Sequence, residues 1–190
     1  MIPDTTVGVL LAAGRGSRFT GPTHKLLAPL RGRTVLAWSL AAAREAGFAH
    51  LVVVTGAVDV SAELTPDHAL QVVANLDWAD GQATSINAGI ERARSLGADT
   101  VVIGLADQPF VSPDAWRSVA ASRSPIAVAT YHGVRGNPVR LAGSVWSLLP
   151  TTGDVGARDL MRLRPELVRE VACEGSADDI DTEEDLAPWT

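Results

Sequence analysis

Apolar residues recur along this chain in two rhythms. Val7 to Ala13, Leu51 to Thr55, Leu70 to Ala74 and Thr100 to Leu105 are short, largely apolar and rich in β-branched side chains, as strands buried on both faces of a parallel sheet are. Between them the spacing turns helical. Thr34 to Ala46 sets Val35, Trp38, Ala42 and Ala46 on one stripe and stops at Gly47, while Ala83 to Leu96 carries Ile86, Ile90 and Ala93 and stops at Gly97. Alternation of this kind predicts βαβ units with right-handed crossovers, an α/β fold with a mostly parallel sheet. After Asp107 the pattern loosens. It predicts a helix over about Pro113 to Ala121, an extended pair at Ile126 to Thr130 and Pro138 to Leu141, a helix near Asp154 to Leu163 and a strand at Leu167 to Ala172. Pro188-Trp189-Thr190 reads as a loose tail.

Composition narrows the classes. A chain of 190 residues with 46% hydrophobic content can bury one sizeable core, and it shows no repeat, low-complexity tract or long linker, so one catalytic domain is expected. Sixteen basic against twenty-two acidic residues give a net charge of −6, which repels a nucleic-acid backbone unless the cations cluster. They cluster only in the first loop. The lone Cys173 cannot form an internal disulfide, the N-terminus has no basic or apolar signal regions, and no apolar run is long enough to span a bilayer. A cytoplasmic protein with neither membrane nor nucleic-acid partners is expected.

The first strand runs straight into Gly14-Arg15-Gly16-Ser17-Arg18-Phe19, followed by Gly21-Pro22-Thr23-His24-Lys25-Leu26-Leu27. Glycines let backbone N–H groups approach an anion, and Arg15, Arg18 and Lys25 bring charge to it. Taken alone, the loop reads equally well as a tight turn with solvated cations. A dinucleotide fingerprint fails because Phe19 stands where the third glycine is needed. A P-loop fails because Pro22 replaces the lysine after Gly21 and lacks an N–H. Asp107 ends the fourth strand at the sheet rim, where it is a turn or cap residue or a ligand. In Asp179-Ile180-Asp181 an extended backbone puts both carboxylates on one side and Ile180 on the other. Two rim aspartates plus substrate phosphates suit magnesium. Asp80-Gly81 to Gly89 combines a turn with a helix start, with Thr84 and Ser85 as cap residues. The histidines His24, His50, His68 and His132 lack metal-ligand spacing and read as solvated or core imidazoles. Cys173 reads as a small hydrophobe, and the scattered tryptophans make no stacking platform.

LAAGRGSRFTGPTHKLLAPLRGRTVL, Gly81 to Gly89, Leu105-Ala106-Asp107-Gln108-Pro109, Gly136-Asn137-Pro138, Gly153-Asp154-Val155-Gly156-Ala157-Arg158 and Asp179 to Leu186 form a specific set. Together they resemble the nucleotidyltransferases that activate sugars, polyols and pterins, most closely the molybdenum cofactor cytidylyltransferase group of the MobA-like NTP transferases. The resemblance implies a single-domain, Rossmann-like three-layer αβα sandwich of the nucleotide-diphospho-sugar transferase type. Its nucleotide half would span about 6–110 and its acceptor half about 111–186. It implies Leu11, Ala12, Ala13, Gly14, Gly16, Ser17, Arg18, Lys25, Gly81 and Ser85 around the nucleotide. Lys25, Arg18 and Asp107 would be catalytic, with Lys25 stabilising charge on the α-phosphate. Asp107 and Asp181 would hold Mg2+, with Mn2+ as an alternative. The Gly136-Asn137-Pro138 loop and the helix start at Gly153 to Arg158 would bind the acceptor, through Asn137, Pro138, Gly153, Asp154, Gly156 and Arg158. Guanylyltransferase relatives read LAGG where this chain reads Leu11-Ala12-Ala13-Gly14, so the extra methyl of Ala13 implies a narrower base pocket suited to a pyrimidine. The implied substrates are CTP and a molybdopterin-type cofactor, with transient contact to a recipient molybdoenzyme or its chaperone. The alternatives are GTP or another NTP with a different phosphorylated acceptor, a non-catalytic pterin-cofactor carrier, and an oxidoreductase.

Overall fold

The computed structural model describes residues 2–65 and 67–189. Nine strands form: β1 (Thr6–Ala12), β2 (Pro29–Leu30), β3 (Arg33–Thr34), β4 (Leu51–Thr55), β5 (Leu70–Ala74), β6 (Thr100–Leu105), β7 (Ile126–Tyr131), β8 (Val134–Ala142) and β9 (Val168–Ala172). Seven of them make the central sheet in the order β5-β4-β1-β6-β8-β7-β9, and β2 and β3 pair as a small separate ribbon. Only β8 runs against the rest. Six helices accompany them: α1 (Val35–Glu45), α2 (Gln82–Ser95), α3 (Pro113–Ala120), α4 (Gly143–Trp146), α5 (Arg158–Leu163) and α6 (Glu183–Leu186). Among the described residues no helix is long and apolar enough to cross a membrane.

The sheet has a packed layer on each side, because its strands alternate faces. Along β1, Leu10 and Ala12 join one core with α1 and α3, while Val7, Val9 and Leu11 join the other with α2, α4 and α5. Both faces are covered, as near-continuous apolar strands require. Gly104 of β6 shows how close the layers come: a Cβ there would lie 2.4 Å from the Trp116 ring of α3.

Four expectations are corrected. The buried stripe of α1 is Val35, Leu36, Ser39, Leu40 and Ala43, whereas Trp38 and Ala42 are only half-buried. Trp38 lies on the flank of the helix instead, donating from Nε1 to Leu30 O at 2.7 Å beneath the Arg33 guanidinium. The helix expected from Asp154 begins at Arg158, since Gly153 and Asp154 are bonded to the start of α2. Gly136-Asn137-Pro138 is not a loop but an irregularity within β8, whose register against β7 shifts between Val128 and Ala129. Pro138 has no N–H for the ladder, so an interruption of pairing suits it, and its peptide bond is cis. Finally, Ala187–Trp189 form a 3-10 turn after α6 and not a loose tail; Thr190 lies outside the described residues.

The parallel strands β1, β4, β5 and β6 end on one rim of the sheet. Their outgoing loops therefore share one crevice.

Candidate active site

After β1 the chain turns through Gly14 and Gly16 and enters a 3-10 turn at Lys25–Leu27. His24 braces this loop, a role sequence reasoning missed. Its Nδ1 accepts from the Leu26 N–H at 3.3 Å, so Nε2, 3.2 Å from Gly14 O, carries the proton and donates. The ring occupies the space a side chain at Gly16 would need, for a Cβ there would sit 2.8 Å from Nε2. Gly16 also has φ +63°, a conformation glycine adopts freely. Burial lowers the His24 pKa below its ordinary 6.5, and the Gly14 carbonyl only partly offsets it. A lowered folded-state pKa means the neutral ring stabilises the fold above about 6.5, and that contribution is lost as pH falls through the folded value. We therefore expect the melting temperature to fall between pH 7.5 and 5.5 by less in His24→Asn than in the parent chain, as thermal melts will show.

Lys25 emerges from this loop buried, although it is charged. Its Nζ lies 2.5 Å from Asp107 Oδ2 and 2.7 Å from Asp181 Oδ1, while Arg18 holds the other Asp181 oxygen at 2.8 Å. Burial works against the ammonium charge, but the carboxylates of Asp107 and Asp181 override it and the Lys25 pKa is raised. Asp107 follows β6, and Asp181 reaches it because the C-terminal segment folds back. The Ile180 N–H donates to Asp107 O at 2.9 Å, and the Ile180 side chain is buried with Ala28, Leu30, Val35 and Leu186. Thr20 donates to Glu183 at 2.9 Å, and Thr182 and Asp185 close a capping box on α6, so the acidic segment is stitched to the basic loop. Asp179 diverges from this cluster. Its Oδ1 accepts from Gln108 Nε2 at 2.9 Å, and partial burial, then the nearby Asp107 charge, raises its pKa.

Two carboxylates that already converge on one cation at near-ligand distances fit a divalent ion supplemented by substrate phosphates. They do not make an all-protein cage, and no group of three or more His, Cys, Asp or Glu side chains suited to a metal occurs among the described residues.

On the β4–β5 side of the loop, Asn75 is a second residue the sequence reading overlooked. It stands just past β5, buried, and donates from Nδ2 to Thr84 Oγ1 at 2.8 Å and Ser85 Oγ at 2.9 Å. Ser85 is therefore oriented rather than free, with its own proton still available. An asparagine immediately after a strand, at the rim where the other strand-end loops gather, was the signal to follow. Ala13 is buried beside Gly56, where an added Cβ would lie 2.8 Å from the Ala13 methyl and 2.9 Å from Trp78 Cβ. The methyl thus works by shaping the wall made by Gly56 and Trp78. Gly81, φ +105°, lets Gly153 pack on the start of α2, since a Cβ would come within 2.4 Å of the Gly153 backbone.

Gln108 and Asp179, sequence neighbours of Asp107 and Asp181, help line a cleft of about 800 Å³ whose walls also include Leu11, Ile86, Ile103, Val128 and Leu141 and the arginines Arg135, Arg158 and Arg162; Lys25, Asp107 and Asp181 do not line it. Asn137 and Arg158 line it. Gly153, Asp154, Gly156 and Pro138 do not: Asp154 Oδ1 accepts from the Gln82 N–H at 3.3 Å, and Gly156 packs against Gln82 and Ile86. Their place is behind the wall that carries Val155, Ala157 and Arg158. Tyr131, whose hydroxyl donates to Asn137 O at 2.8 Å and whose pKa burial raises, also lines the cleft and was not anticipated. Gln108 is buried at the join, tied by Nε2 to Ala177 O and Asp179 Oδ1, both at 2.9 Å.

Residues 8–171 match the family described as the MobA-like NTP transferase domain. The chain belongs to that family. It is 34% identical over 194 residues to the purine catabolism protein PucB of Bacillus subtilis, covering 94% of this chain and 93% of PucB. Among solved structures, Rv0371c of Mycobacterium tuberculosis superposes with a TM-score of 0.82 at 32% identity, covering 96% of each chain, and is also known in complex with manganese. A nucleotidyl transferase of Methanothermobacter thermautotroptrophicus, Mth528, superposes with a TM-score of 0.82 at 26% identity over 98% of this chain and 96% of its own. This MobA-like chain is a nucleotidyltransferase that uses a nucleoside triphosphate.

Proposed function

We propose that this MobA-like enzyme moves the CMP group of CTP onto the terminal phosphate of a molybdenum-bound pterin, releasing pyrophosphate. One observation carries the reading. Lys25 and Arg18 converge with Asp107 and Asp181 in one ion-paired cluster, the arrangement a triphosphate and its divalent ion call for, and an apolar cleft lined by Gln108, Asp179 and three arginines offers room for a phosphorylated acceptor. The nucleotide side corresponds to residues of about 6–110 and the acceptor side to about 111–186, with Asp181 crossing back to the nucleotide side.

In the reaction an oxygen of the acceptor phosphate forms a bond to the α-phosphorus while the bond from that phosphorus to the β-bridging oxygen breaks, its electrons leaving with pyrophosphate. An acceptor phosphate is already ionised near neutral pH, so no general base is needed. That suits a site in which cations and carboxylates converge and His24 is occupied in bracing the loop. Arg18 and Lys25 bind the triphosphate, Lys25 offsets charge developing at the α-phosphate, and Asp107 and Asp181 hold the ion. Bound there, Mg2+ or Mn2+ would neutralise triphosphate charge and polarise the reacting phosphate. Arg135, Arg158 and Arg162 receive the anionic acceptor over an apolar floor. A carrier that merely delivered a finished cofactor would have no use for the buried lysine between two acids.

The test is to incubate the enzyme with each NTP, magnesium and molybdenum cofactor, and to identify the nucleotide released from the product by mild hydrolysis. CMP supports the reading, and GMP or another nucleotide overturns the choice of base. Because the Ala13 methyl packs against Gly56 at the end of the first strand, where it would narrow the base site, CTP should outperform GTP by about tenfold or more in kcat/KM, and Ala13→Gly should erode that ratio several-fold. Equal use of both nucleotides by the parent enzyme would sink the steric argument.

A further inference from the structure

Lys25, Arg18, Asp107 and Asp181 already partner one another. The Lys25 ammonium bridges Asp107 and Asp181, and Arg18 takes the remaining oxygen of Asp181. We propose that Lys25 is the resident counter-ion of the Asp107–Asp181 pair, so that a divalent ion gains these carboxylates only together with a triphosphate that draws Lys25 and Arg18 onto itself. This rests on reading the two aspartates as metal ligands and is independent of which nucleotide or acceptor is used.

The asymmetry in exposure carries the argument. The Lys25 side chain is 9% exposed, whereas that of Arg18 is 74% exposed. Arg18 can swing into water at little cost. The Lys25 ammonium cannot, because leaving both carboxylates would strand a buried charge without a partner. A bare divalent ion must therefore either settle beside the ammonium, at like-charge distance, or expel it from the two carboxylates it is bonded to. Either route weakens metal binding.

A triphosphate removes the obstacle. Its oxygens accept the hydrogen bonds that Lys25 and Arg18 withdraw from the aspartates, and the aspartates exchange those N–H donors for the ion. No charge is left unpaired at either end of the exchange. The movement is small, because the backbone of Lys25 is fixed in the 3-10 turn capped by His24 while its ammonium rides on a flexible four-carbon stem. The same exchange runs backwards when pyrophosphate departs. Lys25 then recloses on the two carboxylates, which returns the site to its metal-poor state before the next triphosphate arrives.

The experiment uses Mn2+ alone as probe, with the full chain free of nucleotide and the unbound ion read by electron paramagnetic resonance. Lys25→Met should bind Mn2+ about tenfold or more tightly than the parent chain, because it uncovers both carboxylates. Lys25→Arg, which keeps the charge, should show no such gain, and adding Asp181→Asn to Lys25→Met should abolish it. A folded Lys25→Met that binds Mn2+ no more tightly than the parent overturns the proposal. So does a gain that survives Asp181→Asn, which would also show that the ion sits elsewhere and that the metal-ligand reading itself is wrong. Should Lys25→Met fail to fold, Lys25→Gln makes the same comparison. The parent chain supplies a check that needs no variant: after correction for the Mn2+–CTP complex in solution, metal and nucleotide should each tighten the other by the same factor. Independent binding of the two overturns the proposal.

Discussion

Asp107→Asn and Asp181→Asn should each lower pyrophosphate release by about 10²- to 10³-fold, and the double variant should cost little more than either alone. The reason is geometric. Asp107 and Asp181 lie far apart in sequence yet converge on a single Nζ, at 2.5 and 2.7 Å, so a cation that replaces this ammonium meets both carboxylates together. Loss of one ligand spoils the site that the other also serves. Each single variant should need more magnesium for half-maximal turnover, which a magnesium titration measures directly. Asp179→Asn should be milder, since that side chain is tied to Gln108 and makes no ion pair with Lys25 or Arg18. Multiplicative losses in the Asp107 and Asp181 pair, with folding verified by thermal melting, would show that the two do not share an ion.

Lys25→Ala should depress turnover by about 10²- to 10³-fold while changing nucleotide affinity far less, because a cation aimed at charge that develops during displacement matters most in the transition state. Arg18→Ala should weaken both, since its exposed guanidinium gains its phosphate contact already in the ground state. Lys25 has a second, structural consequence. Removing it leaves Asp107 and Asp181 facing one another with only Arg18 as partner, so thermal stability should fall as well. Stability and turnover can be separated: Lys25→Arg should recover most of the melting temperature but little of the rate, because its planar fork differs in reach from an ammonium. A Lys25→Ala enzyme altered only in apparent affinity would place the lysine in ground-state binding alone.

The comparison between Asp107–Asp181 and Gly153–Asp154–Gly156 shows what motif reasoning supports and where it stops. Both are quoted in the same resemblance. The first pair converges because Ile180 anchors the C-terminal segment in a small apolar cluster beside Asp107. The second set packs on the start of α2, behind the cleft wall, and the residues of that stretch that line the cleft are Val155, Ala157 and Arg158. A motif names residues that travel together, and the packing decides which of them face a ligand.

Local sequence determined the elements. Strands β4, β5 and β6 occupy the ranges their apolar runs predict, β1 is displaced by one residue, and the stop signals at Gly47 and Gly97 mark the helix ends closely. These features depend on neighbours within a few residues: burial on both faces selects the β-branched runs of β1, β4 and β6, and left-handed closure selects glycine, whereas β5, expected to be buried on both faces, is an edge strand with Val72 48% exposed. Only the tertiary structure decided which face of α1 is buried, that β8 runs against its neighbours with Asn137 and Pro138 interrupting its pairing, and that His24 and Asn75 are bracing residues. It also decided that Lys25 stands between Asp107 and Asp181. Each of these depends on contacts between segments distant in sequence or on hydrogen bonds that close once a loop is folded. No local period carries that information, because a buried charge or a braced imidazole is chosen by what folds against it.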